Sequence, residues 1–436
     1  MNKRKYFFLH ALFIILFLVS CKKTASEINL PSPEKKVYGH DTKYLDQDTY
    51  YDKVLGALAG SAIGDAMGAS TEMWHRNEIQ LNYGYITGLT PAVRVQSPEG
   101  TWDNNLVAGS TTDDTRWKYF MVKYFSRFDD NLTPQNFADF ITDYYVSLTK
   151  ELGDAQSNKN PDILDVRMEK IDWIKEWARV ALAYQKDATE YQKAMHRFYG
   201  GEMSCAGQLY TPMFGLLSKN PEYAYRIAYD HSLFDLGYAK DISGLVAAMT
   251  NTAMYSQSID SILNTAIFID PLEYKNSRLV GRISQNILDA SRRTVLVARK
   301  IEIHDSLDTN GLKELRMPQG FPYSTEEWVQ QNRVYSFLEK EEKAIPFHSG
   351  EIWQILVTAL EFGQGDFEKT MQFIVNYGRD NDTVAAVAGM ILGAKDGFSK
   401  LPVDLSTEIL RVNKEVLGID LESLAREMTE NAYHSQ

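Results

Sequence analysis

Gly56-Ala57-Leu58-Ala59-Gly60-Ser61-Ala62 is a run of small residues, and Val54, Leu55, Leu58, Ala62 and Ile63 draw an i, i+3, i+4 apolar stripe through it. That period is helical, and side chains this small let a second helix approach closely. The stretch therefore predicts a helix in the buried centre of a helical protein. Outward along the chain the same period returns in Ile171, Ile174, Trp177, Ala178 and Ala181, and in Ile352, Ile355, Leu356, Ala359 and Leu360. The alternation of half-buried strands is scarce. Breaks fall at 91–100, 153–161, 200–207 and 317–322, and no repeat of fixed period interrupts the pattern. The expectation is an all-α fold: a single compact multi-helix domain over residues 50–432, with inserted loops.

Composition agrees with a globular chain. The 436 residues are 44% hydrophobic and 24% charged, with a formal net charge of -12. An acidic body offers no electrostatic footprint for nucleic acid or for anionic membranes. Two cysteines, Cys21 and Cys205, exclude a disulfide-stapled scaffold. Cys205 reads as a small buried hydrophobe.

The N-terminus reads as an address. Residues 2–5 are Asn-Lys-Arg-Lys and residues 6–19 are mostly apolar, too short a run for a comfortable span and suited to a signal-peptide core. Leu18-Val19-Ser20-Cys21 resembles the lipobox of bacterial lipoproteins. Residues 1–20 are thus expected to be a lipoprotein signal peptide. Residues 21–49 would be a lipidated Cys21 with a polar tether, holding the domain in the cell envelope through its lipid anchor alone.

Two acidic clusters carry the chemistry. Ser110-Thr111-Thr112-Asp113-Asp114-Thr115 precedes the apolar run Trp117–Phe125, and Gly378-Arg379-Asp380-Asn381-Asp382-Thr383 precedes Val384-Ala385-Ala386-Val387-Ala388-Gly389. Hydroxyls and acids in a first turn are good helix-start chemistry by themselves. Four carboxylates and two hydroxyls on two helix starts are also enough hard oxygen for two divalent ions, Mg²⁺ or Mn²⁺ rather than zinc. No zinc spacing or EF-hand pattern is present. A third element, Gly64-Asp65-Ala66-Met67-Gly68-Ala69-Ser70-Thr71-Glu72, closes the first helix; Gly68 would end it and leave Glu72 on a loop as a base or ligand.

In this order and at these separations, the three segments resemble the ADP-ribosylglycohydrolase family. Its Gly-Asp-Ala-x-Gly-x-x-x-Glu stands at Gly64 to Glu72, its Thr-Asp-Asp-Thr at Thr112 to Thr115, and its closing Gly-x-Asp-x-Asp-Thr pattern at Gly378 to Gly389. The resemblance implies an all-α fold and two Mg²⁺ or Mn²⁺ held by Thr112, Asp113, Asp114, Asp380, Asp382 and Thr383. It also implies a catalytic group of Glu72, Asp113 and Asp114. Where the family carries Gly-Asn-Gly-x-x-Met-Arg against a diphosphate, this chain has Gly200-Gly201-Glu202-Met203-Ser204-Cys205-Ala206-Gly207. Gly201, Ser204 and Gly207 are the expected substrate contacts there, and His231 resembles a substrate-contacting histidine. Arg379 replaces a common Gly and would either donate into the site or pair with an acid.

The implied activity is hydrolysis of a ribosyl glycosidic bond in a small-molecule or ADP-ribosylated substrate, by a chain expected to be monomeric. Two alternatives share the residues: a non-catalytic binding or structural member, and a two-metal hydrolase of another nucleoside or phosphoester.

Overall fold

The computed structural model of the chain describes residues 45–91, 106–129, 131–155, 161–218, 220–302 and 317–434. The expected signal peptide and Cys21 lie outside them. Asp46 opens the first helix, Gln47–Gly68, by accepting from the Thr49 amide at 2.9 Å. The helix therefore starts ahead of Tyr50, because the cap lies in the stretch expected to be tether.

Gly56, Gly60, Gly64 and Gly68 recur every fourth residue and share one helix face. That face lies antiparallel on the helix Asn381–Asp396. A Cβ added to Gly60 would stand 2.3 Å from the Gly389 carbonyl oxygen, and one on Gly64 only 2.1 Å from that of Ala385. Gly389 answers from the other side, where a Cβ would meet the Gly60 oxygen at 2.0 Å. No side chain fits, so the two backbones touch. Gly68 belongs to the same seam: its Cβ would meet the Asp382 Cα at 2.4 Å. It is a glycine for proximity, and the right-handed Ala69 that follows it shows that no left-handed stop was needed.

The remaining helices pair around this seam. Pro134–Ala155 packs on Pro161–Lys186, Pro221–His231 on Ala239–Tyr255, and Ile283–Ala298 on Ser349–Gly363. Every residue of the three predicted apolar stripes is buried. The break expected from Gly153 begins only after Ala155, since the helix runs through that glycine. Helix Asp113–Phe128 contacts both members of the central pair. Trp117 anchors it, fully buried with its ring edge-on to Phe120, Trp173 and Trp177. Strand structure among the described residues is one antiparallel ribbon, Trp74–His75 with Gly378–Arg379. No described helix is long and apolar enough to cross a membrane.

The seam makes a direct prediction. Gly64→Ala forces a methyl into the Ala385 backbone and destabilises the fold by about 3 kcal/mol, read as a lower Tm in calorimetry. Gly153→Ala, with open space around it, leaves Tm unchanged or slightly raised. Equal effects at both positions would contradict the packing account.

Candidate functional site

Close contact of Gly68 with Asp382 places the end of one helix at the start of another. The ribbon fixes the rest. The Met73 amide donates to the Arg379 carbonyl at 2.7 Å, and Trp74 pairs with Arg379. Glu72 and Asp380 therefore flank the same ribbon end. Asn381 ties the two loops from beneath, its Nδ2 donating to Thr71 Oγ1 at 2.9 Å and to the Val375 carbonyl at 3.0 Å. As a result Glu72, Asp380 and Asp382 each offer a carboxylate oxygen within 4.8 Å of the others. Asp113 and Thr383 line the same hollow, with Tyr199, Cys205, Leu209 and Phe347 completing its wall.

Asp65 is the strut that sequence reasoning passed over. Fully buried, it accepts from the Thr112 amide at 2.9 Å, the Thr115 amide at 3.1 Å and Thr115 Oγ1 at 2.6 Å. It caps the helix start that presents Asp113 and Asp114, from the neighbouring helix. Thr112 is the N-cap of that helix, and its hydroxyl accepts weakly from the Asp114 amide at 3.4 Å. Thr383 Oγ1 donates to Asp114 Oδ2 at 3.0 Å, so the two acidic clusters meet directly. Lys118, inside the run that reads as apolar, is 1% exposed and sets its Nζ 3.3 Å from Asp114 Oδ1. Its position one turn beyond Asp114 was the sequence signal for that pair.

The charges are crowded. Burial pushes the Asp380 carboxyl well above the usual range, and the Asp382 charge pushes it further. Burial also raises Asp114 well above its ordinary value, with Lys118 opposing and Asp65, Asp113 and Asp380 reinforcing. Asp65 is raised by burial against its hydrogen bonds. Such a set of hard oxygens in one hollow fits a divalent cation of the Mg²⁺ or Mn²⁺ kind, which would relieve the repulsion.

The middle segment departs from expectation. Cys205 N donates to the Phe347 carbonyl at 2.9 Å and Ser349 N to that of Met203 at 2.7 Å. This clasp brings Cys205 and Phe347 into the wall, where Cys205 Sγ lies 3.5 Å from Asp380 Oδ2 and Phe347 meets Tyr199 at 5.7 Å between ring centres. Ser204 pairs with His348 across the clasp, its hydroxyl buried without a hydrogen-bond partner. Gly207 is not a diphosphate contact: its amide donates to Asp235 at 2.8 Å, and a Cβ there would stand 2.1 Å from that carboxylate. Gly201 is exposed at a helix end and is a glycine for its φ of +85°. His231 is not a substrate contact either. It is fully buried among Tyr124, Phe137 and Phe214, with Nδ1 2.8 Å from the Ile227 carbonyl and Nε2 3.0 Å from the Tyr124 hydroxyl. Trp353 is also core, donating to the Ser284 carbonyl. Arg379 pairs with Glu351 through two hydrogen bonds, the second of the two roles open to it.

A family model described as ADP-ribosylglycohydrolase matches residues 46–436. The chain belongs to the ADP-ribosylglycohydrolase family. The three motifs that carry the site all lie within the matched span. A curated protein of Escherichia coli (strain K12), described as uncharacterized protein YegU, is 35% identical over 68 residues, 15% of this chain; the chain spans 18% of that relative's length. Among solved structures, a chain of an "ADP-ribosylglycohydrolase-related protein complex" matches at 18% identity and a TM-score of 0.47, covering 88% of this chain and 99% of that one. For this glycohydrolase-family chain the all-α expectation holds.

Two outcomes follow for the site's supports. Asp65→Ala strands the Thr112 and Thr115 amides in the interior and lowers stability by about 3 kcal/mol in urea unfolding, whereas an unchanged midpoint would remove its strut role. Burial holds the His231 ring neutral down to about pH 3 in the folded state, against 6.5 for an ordinary histidine. Acid therefore protonates the unfolded chain first, and the stability contributed by His231 is lost as pH falls from 6.5 toward 3. In His231→Gln that part of the pH–stability curve flattens relative to the parent, while parallel curves would refute the assignment.

Proposed function

We propose that this chain is a divalent-metal-dependent glycosidase that cleaves a ribosyl C1 bond in an ADP-ribosyl or related conjugate. One observation carries the reading: three carboxylates from two distant motifs, Glu72, Asp380 and Asp382, converge within 4.8 Å in a hollow shared with Asp113. Membership of a glycohydrolase family supports the reaction class. An all-oxygen donor set favours Mg²⁺ or Mn²⁺. A divalent ion held there supplies Lewis acidity toward vicinal sugar hydroxyls and water.

The chain's own groups then divide the work. Glu72, on its loop and only part-buried, is positioned to take a proton from an attacking water as general base. Asp113 and Asp382 crowd negative charge beside the sugar, where an oxocarbenium-like transition state develops positive charge. Tyr199 and Phe347 offer an apolar wall for a planar ring. The same proposal places the domain in the cell envelope on a lipidated Cys21, as the N-terminal pattern suggests.

The decisive assay is a panel of ADP-ribosyl-arginine, ADP-ribosyl-serine, O-acetyl-ADP-ribose and simple nucleosides, each with and without EDTA. Turnover of a ribosyl conjugate that EDTA abolishes is the expected result. Asp382→Asn lowers that turnover by on the order of 10²-fold or more and removes the thermal shift on adding Mn²⁺. Glu72→Gln loses turnover while calorimetry still detects ADP-ribose. Full activity in EDTA, or metal binding with no hydrolysis of any panel member, would overturn the assignment.

A further inference from the structure

We infer that Lys118 is a built-in counter-cation that withholds Asp114 from metal coordination, so that the site takes one divalent ion per chain rather than two. The inference rests on the metal-dependent reading above. Both oxygens of Asp114 are already engaged: Oδ1 faces the Lys118 ammonium at 3.3 Å, and Oδ2 accepts from Thr383 Oγ1 at 3.0 Å. Asp114 and Lys118 are each 1% exposed. At that depth the ammonium has no route to water, although a lysine at a surface would extend its head outward. It stays beside Asp114 because an unpaired charge in the interior is costly.

Asp65 lies within the reach of the same positive charge. One ammonium thus serves two buried carboxylates that an all-carboxylate site would leave for a cation. A second divalent ion on Asp114 would bring two positive charges against an ammonium that cannot retreat. Among the described residues, the one group of acids, histidines and cysteines whose ligand atoms converge is Glu72, Asp380 and Asp382, without Asp113 or Asp114. The geometry sets the converging trio apart from Asp114, whose charge the protein already pairs. Lys118 is a positioning residue: it holds Asp114 and, through the Thr383 hydroxyl, the first turn of the opposing helix.

The test counts ions. The full chain is dialysed against Mn²⁺, bound manganese is measured by mass spectrometry, and the electron paramagnetic resonance spectrum is recorded. One Mn²⁺ per chain, with the six-line signal of an isolated ion, is expected. Lys118→Met, with its fold checked by circular dichroism, is expected to bind a second ion and to show a spin-coupled spectrum; Lys118→Arg keeps one. Two coupled ions in the parent chain would overturn the inference, and so would a single ion in Lys118→Met. No bound Mn²⁺ in the parent sinks the metal-dependent reading itself, a result distinct from two. If Lys118→Met does not fold, the parent count alone still decides.

Discussion

Contact between two backbones governs this structure. Helices Gln47–Gly68 and Asn381–Asp396 meet along a seam with no side chains between them. A seam of that kind fixes register, because sliding either helix by one residue would drive a Cβ into a carbonyl. Register is what the site needs. Gly68 sits on Asp382, so the loop that follows the first helix emerges beside the loop that starts the second, and more than three hundred residues of intervening chain do not alter that. The ribbon from Met73 to Arg379 then removes the freedom the loops would otherwise keep.

Rigidity of this order makes the electrostatics possible. Carboxylates repel, and a flexible site would relax by moving them apart or exposing them. Here Asp380 and Asp382 are held by the packed helix start. Asp114 is held by a helix whose Trp117 is wedged among aromatic rings, and Asp65 clamps the amides of that start. Burial first, and neighbouring carboxylates after it, push Asp380 and Asp114 well above the usual range. Positive charge has two sources inside such a site: a bound cation, or a lysine. Lys118 shows that the chain has supplied part of it covalently.

Much of this was legible in the sequence, and the reason is local. Small residues at a four-residue interval, hydroxyls before paired acids, and Gly-led turns are each written within a dozen positions, so the helical fold, the close central packing and the two acidic helix starts could be read directly. The misreadings concern what lies across space. Gly207 and Gly201 are both glycines in the segment expected at a diphosphate, yet one makes room for Asp235 and the other permits a left-handed turn. His231 gave no sequence sign that Tyr124 and the Ile227 carbonyl would take up both its nitrogens. Tyr199 and Phe347 lie far apart in the chain and join one wall only because the Met203–Cys205 clasp exists. Lys118 and Asp65 were different. Both stood in quoted stretches, and an i, i+4 spacing from Asp114 and a lone acid inside a small-residue helix were visible signals of burial with a partner.

The surplus of negative charge finally bears on which reaction suits the hollow. A phosphoester transition state gathers negative charge on its oxygens, and the four carboxylates lining the hollow would oppose it unless cations outnumbered them. Departure of a leaving group from ribose C1 does the reverse, loading positive charge on the sugar. A lysine buried against Asp114 trims the excess without turning the pocket cationic. The hollow keeps a net negative lining beside an aromatic wall, the environment that a sugar passing through a cationic state requires. On that ground the glycosidic reading outranks the phosphoester alternative, since the same acids would help the first reaction and hinder the second.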